Sequence, residues 1–395
     1  MNGPDLLLPA PVQAAPLPEV RNHTPHPSQY YQMMDVGDEV FHVIASRITY
    51  DLTRLDEQGA PPLAAVQAPL VEADEFYGDP TSSSCIQESD FAPYKPKCDI
   101  LLAHAVAYAP EGKPHQRWPV GIRIGEWQKM LAVTGARYVD RGLLGWKVTE
   151  PQKATQVPLR WELAYGGTCQ WPRHLKEDEE PEIFKAFEAN PLGTGWTDKA
   201  WLKKAQVADV DAPQIEVFDQ PFGTEDANAM DYPAVGVGPV GKWWTPRRQK
   251  AGTYDQAWKE SRWPRLPLDF DFGYWNAAPE DQQIDYPQGG EELVLAGLTP
   301  GSRCGGASCP SRPSMPCCAC RSGPSCACRC GWTRWCWTSR LARSVACTAF
   351  TSRHSLARVC SKSDQGGRRY ERYPQPRGPA DGQGQGQAQP LPEAG

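Results

Sequence analysis

The chain has 395 residues, with 41 Lys and Arg residues against 47 Asp and Glu residues and a net charge of −6. This length is enough for two or three domains with a sizeable core. No apolar run approaches the roughly 18 residues that span a bilayer, and the mild acidity has the wrong sign for neutralising many phosphates. We therefore expect neither a membrane nor a nucleic acid as partner.

The charges and the cysteines divide the chain near residue 302. Residues 303–395 contain 13 Arg, one Lys and four acidic residues, a net charge of +10, so the preceding part carries −16. Eleven of the 14 cysteines also follow this point, and only Cys85, Cys98 and Cys169 precede it. Three scattered cysteines are typical of a cytoplasmic protein rather than a disulfide-stabilised secreted one.

Residues 1–30 are predicted to form an extended arm. They contain seven prolines, whose fixed φ and missing N–H oppose both helix and sheet pairing. The short Leu6-Leu7-Leu8 run lacks the basic region and the length of a signal peptide. The localisation that we expect is cytoplasmic.

Short strands are predicted from residue 31 to residue 165. β-branched and aromatic residues alternate roughly with period two in the runs 39–45, 47–52, 98–106, 120–124, 129–133 and 137–139. Turns that contain Gly or Pro separate several of these runs. Such brief strands favour antiparallel, sandwich-like sheets. The expected fold class is mainly β, with long loops rich in Pro, Gly and Trp and a few short helices.

One strand and two helices are predicted next along the chain. The run 159–165 indicates a strand that ends at Gly166-Gly167. The helices are predicted at 177–189 and at 198–205, and Thr197 is the expected N-cap of the second.

The region 211–286 is predicted to be irregular, because Pro, Gly and Trp leave no long periodic run. Each Trp buries roughly 200 Å², so buried rings are expected to hold these loops together. The run 291–298 indicates a last strand. The expected organisation is an extended Pro-rich arm (1–30), a β-rich portion (31–165), a loop-rich portion packed on it (166–302) and a tail (303–395).

The tail is predicted to be disordered, and we interpret it as out-of-frame translation that begins near codons 300–304. Its bias toward Arg, Cys, Pro, Ser, Gly and Trp is what a GC-rich gene yields in the wrong frame. Its C-x-C runs differ from the C-x2-C knuckles of structural zinc sites. A metal-binding tail and a disordered basic extension are the alternatives.

Asp269 and Asp271 could form a carboxylate pair, because alternate residues of a strand share a face. Such a pair suits acid–base chemistry or a hard cation. However, no adjacent His or glycine loop completes a hydrolase or EF-hand pattern, and the seven His include no H-E-x-x-H arrangement. Capping of turns is the expected role, and we expect no catalytic residue, metal or cofactor.

Two other patterns are weak. Cys85, Cys98, His104 and His115 have the chemistry of zinc ligands, but their spacing is long and irregular. The run 236–241 contains G-x-G, but a proline lies where a dinucleotide-binding helix should begin. A tight turn is the expected structure there.

Tryptophans of the later loops allow two interpretations. Exposed rings would form a stacking platform for sugars or bases, whereas buried rings would hold a loop-rich core together. Burial is the expected role. The residues concerned are Trp243, Trp244, Trp258, Trp263 and Trp275.

Several short blocks follow one another between about residues 25 and 300. They read F-x-P-x-K-P-x-x-D at 91–99, P-x-G-x-P at 110–114, P-L-x-W-E-x-A-Y-G-G at 158–167 and N-P-x-G-x-G at 190–195. A series rich in Pro, Trp and Asp then runs from 239 to 282. The positions that carry the pattern are Phe91, Lys95, Pro96, Asp99, Pro110, Gly112, Pro158, Leu159, Ala164, Gly166, Gly167, Asn190, Pro191, Gly193, Gly195, Pro239, Trp243, Pro246, Arg247, Gly252, Tyr254, Asp255, Trp258, Pro267, Asp269, Phe270, Asn276, Ala278, Pro279 and Gln282.

This order resembles a bacterial domain-of-unknown-function family of type VI secretion loci, encoded near genes for the spike and its PAAR tip. The resemblance implies a cytoplasmic, non-enzymatic adaptor or chaperone that binds a secreted effector and helps load it onto the spike. It carries over no catalytic, cofactor-binding or metal-binding residue. The chain departs from the family after residue 301, where further strands are expected, so a sheet edge would lose its cover.

The predicted function is therefore effector loading through protein binding. The charge of −16 on the first part would attract a basic patch of the effector or spike, an effect that salt weakens. Two rivals stay open, namely a carbohydrate-binding β module that uses exposed Trp and a metal-dependent hydrolase that uses Asp269 and Asp271.

Overall fold

The computed structural model describes residues 20–57, 59–142, 145–170, 183–199, 201–202, 209–300, 305–308, 318–320, 334–338 and 344–352. Its strands up to residue 148 are β1 (Val20–Asn22), β2 (Ser28–Met34), β3 (Val40–Asp51), β4 (Glu75–Phe76), β5 (Cys85–Gln87), β6 (Cys98–Ala103), β7 (Val106–Tyr108), β8 (Arg117–Ile124), β9 (Trp127–Thr134), β10 (Tyr138–Gly142) and β11 (Gly145–Val148).

The later strands are shorter, and short helices lie between them. The strands are β12 (Gln156–Pro158), β13 (Tyr165–Gly166), β14 (Thr168–Gln170), β15 (Ile183–Ala186), β16 (Thr194–Gly195), β17 (Asp209–Asp211), β18 (Ile215–Val217), β19 (Gln283–Ile284), β20 (Glu292–Ala296), β21 (Gly305–Ser308), β22 (Cys318–Cys320), β23 (Arg334–Thr338) and β24 (Ser344–Ser352). The described ranges include the α-helices Thr245–Arg248 and Gln256–Ser261 and the 3-10 helices Pro110–Gly112, Trp161–Leu163, Thr224–Asn228, Phe272–Trp275 and Glu280–Gln282.

Two larger sheets carry the architecture. One has five strands in the order β18-β9-β8-β20-β21, and the other has six in the order β19-β6-β23-β24-β3-β2. Within them only the β6–β23 pairing of described strands is parallel. The mainly β, antiparallel fold predicted from the sequence is confirmed. In the described ranges, no helix combines the length and the apolar character that crossing a membrane requires.

The main core contains buried residues from both sheets. Ile48 of β3 and Ile100 of β6 belong to the same cluster as Val120 of β8 and Leu293 of β20. The later loops also contribute, since Trp244 is part of this cluster. Side chains of the predicted β-rich and loop-rich portions therefore share one core.

The opposite face of β3 is covered as well. Because side chains alternate along a strand, Phe41 and Val43 point away from Ile48, and they pack against Phe270 and Phe272. The segment that follows residue 265 thus lies over the outer face of the six-stranded sheet.

Several strand predictions are confirmed. The runs 39–45 and 47–52 merge into β3, and the runs 120–124 and 129–133 lie within β8 and β9, which pair in register from Arg117↔Thr134 to Ile124↔Trp127. The run 98–106 is interrupted at His104, whose φ is 53°. This left-handed backbone turns the chain and separates β6 from β7.

The strand predicted at 159–165 is wrong, because Trp161–Leu163 is a 3-10 helix. The amide of Asn190 explains the turn, since its Nδ2 donates hydrogen bonds to the carbonyls of Trp161 (2.9 Å) and Tyr165 (3.0 Å). A side chain distant in the sequence thus satisfies carbonyls that a sheet neighbour would otherwise bond.

The helix predicted at 177–189 is wrong where the chain is described, because Ile183–Ala186 is strand β15 and pairs with β14. Residues 177–182 lie outside the described ranges. This pairing shows tertiary context overriding helix propensity. In the predicted helix 198–205, residues 199, 201 and 202 are helical, and the cap is Asp198, whose Oδ1 accepts from the N–H of Trp201 (3.1 Å), rather than Thr197. Residues 203–205 are not described.

The predicted arm and tail lie largely outside the described residues. Residues 1–19 of the arm are not described, and its last part contains β1 and the start of β2. In the tail, four short described segments are strands, and two of them, β23 and β24, lie between β6 and β3. The prediction of disorder falls on the rest of 303–395, which is not described.

Candidate functional site

The segment 252–270 forms a closed loop, which we call the aromatic loop. Its two ends meet where Asp269 accepts hydrogen bonds from the N–H (3.0 Å) and the hydroxyl (2.7 Å) of Thr253. These bonds lower the pKa of the Asp269 carboxyl. Gly252 has a φ of +78°, and a Cβ there would lie 3.0 Å from Asp269 Oδ1 and from Pro267 Cβ. Only glycine fits this closure without strain.

Hydrogen bonds within the loop fix its interior. Asp255 caps the Gln256–Ser261 helix, because its Oδ1 accepts from the N–H of Trp258 (2.8 Å). The indole Nε1 of Trp258 donates to the carbonyl of Arg265 (2.8 Å). The two halves of the loop are therefore joined across its middle.

Two arginines bind the loop to the β2–β3 turn. Arg262 and Arg265 each form an ion pair with Asp38 at 3.0 Å. Arg262 also donates to the carbonyl of Val36 (3.0 Å). Several charge-assisted bonds to one carboxylate restrict the loop more than a single surface pair would.

Large apolar side chains project from this rigid loop. Leu268 is 71% exposed, Trp263 68% and Tyr254 52%. Among the large hydrophobic residues of the described chain, only Val66 (82%) is more exposed than Leu268. The Tyr254 ring stands edge-on to Trp258 at 4.7 Å. Desolvation, with Tyr274 and Asp269 nearby, raises the pKa of Tyr254, so the phenol is neutral at physiological pH.

Buried charged groups lie beside the loop in what we call the buried anchor, made of Lys95, Asp99, Asn276, Arg247 and Glu88. Lys95 Nζ is 2.6 Å from Asp99 Oδ2, and both side chains are almost completely buried. Asp99 also accepts from Asn276 Nδ2 (2.9 Å) and from the N–H of Ala277 (2.9 Å). These bonds tie β6 to the chain that follows the aromatic loop.

Arg247 and Glu88 form the second pair of the buried anchor. Two nitrogens of the guanidinium donate to the two oxygens of Glu88, and Nε donates to the carbonyl of Tyr274 (2.9 Å). Burial alone would raise the pKa of Glu88, but the charge and hydrogen bonds of Arg247 outweigh it and hold the pKa below its usual value.

A further buried contact involves Gln282. Its side-chain nitrogen donates to the carbonyl of Ile100 (2.7 Å), and its oxygen accepts from Lys129 Nζ (2.6 Å). Desolvation lowers the pKa of Lys129, and Asp281 opposes this effect. Gln282, the last of the motif positions, is thus bound to β6 of the six-stranded sheet and to β9 of the five-stranded sheet.

The block at 158–167 meets the block at 190–195. Gly166 has a φ of +144°, and a Cβ there would lie 2.1 Å from the carbonyl oxygen of Asn190. The N–H of Gly167 donates to the same carbonyl (2.9 Å). Glycine at these positions therefore allows the backbones of the two blocks to approach closely.

The structure sorts the predicted motif positions into groups. Those in the aromatic loop are Gly252, Tyr254, Asp255, Trp258, Pro267, Asp269 and Phe270. Those that form the buried anchor or lie on segments joined to it are Phe91, Lys95, Pro96, Asp99, Pro239, Pro246, Arg247, Asn276, Ala278, Pro279 and Gln282. Those of the glycine-containing blocks are Pro158, Leu159, Ala164, Gly166, Gly167, Asn190, Pro191, Gly193 and Gly195. Pro110 and Gly112 lie in a separate 3-10 helix, and Trp243 is half exposed.

The motif positions omit several residues of the site. Leu268, Arg262, Asp38 and Glu88 are not among them, and the sequence indicates Trp263 only as part of a possible stacking platform. The sequence signal for Trp263 and Leu268 is weak, since each merely stands beside a proline. Their exposure depends on the closed loop.

The carboxylates considered for catalysis have structural partners. Asp269 closes the loop, and Asp271 Oδ1 accepts from the N–H of Gly273 (2.7 Å) as the cap of a 3-10 helix. This is the capping role expected from the sequence. Among the described residues, no three His, Cys, Asp or Glu side chains group as metal ligands would.

The five tryptophans are not equivalent. Trp244 is buried and stands edge-on to Trp161 at 5.5 Å, and Trp258 and Trp275 are partly buried. Trp243 and Trp263 are exposed. Burial, the expected role, thus applies to Trp244 and in part to Trp258 and Trp275.

A family model described as an uncharacterized protein conserved in bacteria matches residues 37–326. The match contains all the motif positions, and it extends beyond the change in composition at residue 302. No curated protein and no solved structure matches the chain.

Proposed function

The chain belongs to the DUF2169 family, and on this premise we propose that it is a non-enzymatic, cytoplasmic adaptor of a type VI secretion system. In this role it binds a secreted effector and helps to load it onto the spike or its PAAR tip. The exposed, rigid aromatic loop is the observation that supports a protein-binding function. The order of sequence blocks supports the link to secretion.

The aromatic loop has the properties of a binding surface. Trp and Tyr dominate binding energies at interfaces because they bury large areas with few rotatable bonds. The loop that carries Trp263, Leu268 and Tyr254 is already closed by the bonds at Asp255, Asp269 and Asp38. Little backbone entropy of the loop is therefore lost on binding, which favours affinity.

Charge supplies the second part of the proposal. The first 302 residues carry a net charge of −16, so a basic effector or spike surface would be attracted over several ångströms. Such attraction raises the association rate and weakens with salt.

The experiment measures binding of the full chain to the effector and the spike encoded by adjacent genes, by pull-down and calorimetry at low and high salt. We expect capture of at least one of them at low salt. Trp263→Ala and Leu268→Ala should each reduce affinity at least about tenfold, as loss of an interface hot spot does. Val66→Ala removes an even more exposed apolar side chain outside the aromatic loop and should change little. Absence of capture at low salt, both by the full chain and by a frame-corrected chain, would refute the adaptor function.

Carbohydrate binding is the second candidate function, and the exposed ring of Trp263 favours it. Sugars stack on such rings, so a glycan that binds here would quench tryptophan fluorescence. A glycan titration that leaves the tryptophan fluorescence of the chain unchanged would remove this candidate. Quenching of the same size in Trp263→Ala would remove it as well, because the glycan would then bind elsewhere.

We also propose that the sequence after residue 302 is out of frame. The abrupt change in charge and cysteine content supports this proposal. β23 and β24 occupy positions that an in-frame continuation would be expected to fill, and backbone pairing tolerates many sequences. Resequencing of the gene tests the proposal, which an intact frame through all eleven later cysteines would refute.

A further inference from the structure

An arginine outside the aromatic loop lies on a tyrosine ring. Arg160 is exposed, and the carbon of its guanidinium is 3.9 Å from the centroid of the Tyr77 ring. This distance is well within the range of a cation–π interaction. We call Arg160, Tyr77 and the adjacent His104 the Arg160 site.

The tyrosine ring of the Arg160 site is held by its surroundings. The N–H of Tyr77 donates to the carbonyl of Ser84 (3.1 Å), and the ring stands edge-on to His104 at 5.6 Å and 89°. Burial raises the pKa of Tyr77, although Arg160 and a hydrogen bond from the His104 backbone oppose this effect. The ring is therefore a neutral, fixed surface for the guanidinium.

The Arg160 side chain forms no ion pair and no hydrogen bond with any residue that the structure describes. The nearest acid in the sequence, Glu162, is engaged elsewhere, because its two oxygens accept from the N–H and the hydroxyl of Ser84, both at 2.7 Å. The guanidinium is thus oriented by stacking while its donors face solvent.

We propose that the Arg160 site binds a carboxylate of a partner polypeptide, namely an Asp or Glu side chain. A planar guanidinium with free donors matches a carboxylate in bidentate geometry, and stacking on Tyr77 reduces the freedom that such a contact removes. A carboxylate carried by a docked protein is held in place by the rest of the interface, whereas a small free carboxylate has only the contact with Arg160 and therefore binds weakly, at high concentration. The identity of the partner rests on the proposed function, but the ligand chemistry does not.

The first experiment observes Arg160 directly in the full chain by NMR of arginine Nε–H groups. The Arg160 signal is assigned by its loss in Arg160→Lys. Titration with N-acetylglutamate amide should shift this signal to saturation, and N-acetylglutamine amide should not. Tyr77→Phe keeps the ring and should retain the affinity, whereas Tyr77→Leu should weaken it about threefold or more.

The same titration contains its own control. Arg54 is also exposed but already pairs with Asp51 at 2.9 Å, so its signal should move much less. Equal shifts of Arg54 and Arg160, equal shifts with the glutamine probe, or saturation by inorganic phosphate but not by the carboxylate would each overturn the proposal.

The second experiment compares capture of the effector and spike by Arg160→Gln and Arg54→Gln. We expect at least about tenfold weaker binding for Arg160→Gln only, the loss of one charge-assisted bidentate contact. Capture that is unaffected by Arg160→Gln would overturn the inference and leave the adaptor function intact. If no partner is captured but the glutamate probe still binds at Arg160, the adaptor function fails and the carboxylate site stands.

Discussion

Arg247 and Asn276 of the buried anchor flank the aromatic loop in the sequence, but the anchor and the loop place opposite kinds of side chain in opposite surroundings. In the anchor, Lys95 and Asp99 are charged and almost completely buried. In the loop, Trp263 and Leu268 are apolar and exposed. Charged residues are almost never fully buried in folded proteins unless they are paired, whereas exposed apolar residues indicate binding when several of them project from one surface. The difference indicates that the anchor determines stability and that the loop is available for binding.

The largest loss of stability is expected when Asp99 of the buried anchor is replaced. Asp99→Ala leaves the ammonium of Lys95 buried without its partner, which should lower the free energy of unfolding by about 3–5 kcal/mol. Denaturant titration measures this change. The matched control is Asp285→Ala, which breaks the exposed Lys97–Asp285 pair and should cost less than about 1 kcal/mol. Equal losses of stability in the two variants would contradict the assignment of the larger effect to burial of the Lys95–Asp99 pair.

Acid should weaken the second pair of the anchor. The pKa of Glu88 in the folded chain is below its ordinary value of 4.5, so its stabilisation is present above that pH and is lost as the pH falls through the lowered folded pKa. Glu88→Gln should cost about 3 kcal/mol at neutral pH and should flatten the pH dependence of unfolding below about 4.5. A parallel pH profile for the variant and the original chain would contradict this assignment.

A smaller loss of stability is expected where the two ends of the aromatic loop meet. Gly252→Ala imposes a left-handed backbone on alanine, which costs about 1–2 kcal/mol, and it also crowds Asp269. Gly290→Ala is the matched control, because Gly290 has a φ of +90° but no atom within 4 Å of its would-be Cβ. Thermal unfolding should show a greater loss for Gly252→Ala. Equal losses would remove the argument from crowding.

The smallest effect on stability is expected in the loop itself. Trp263→Ala and Leu268→Ala remove exposed side chains, so the free energy of unfolding should change by less than about 0.5 kcal/mol. Denaturant titration of both variants checks this expectation. A loss above about 2 kcal/mol would mean that these side chains stabilise the fold, as those of the buried anchor do, and would contradict the prediction.

The sequence predicted those elements whose side-chain pattern is local. Alternating residues identified β3, β8 and β9, because residues on one face of each strand belong to the main core. It failed at 159–165, where the Asn190 amide turns a chain of strand-like composition.

For the candidate site, the motif positions located the anchor and the closure of the loop, but not the exposed surface. Trp244 and Trp263 look alike in the sequence, yet one is buried against Trp161 and the other is exposed. What separates them is tertiary packing. Asp38 and Glu88 pair with arginines more than 150 residues away, and no local pattern reports such distances.

The order of strands in the six-stranded sheet has a consequence for synthesis of the protein. β3 and β6 are separated by β23 and β24, so their facing backbone edges stay unpaired until residues 334–352 have left the ribosome. Contacts between segments so far apart in sequence form slowly, and open strand edges promote association of nascent chains. The growing polypeptide is therefore most vulnerable to aggregation late in translation, when nearly all of its core residues are already present.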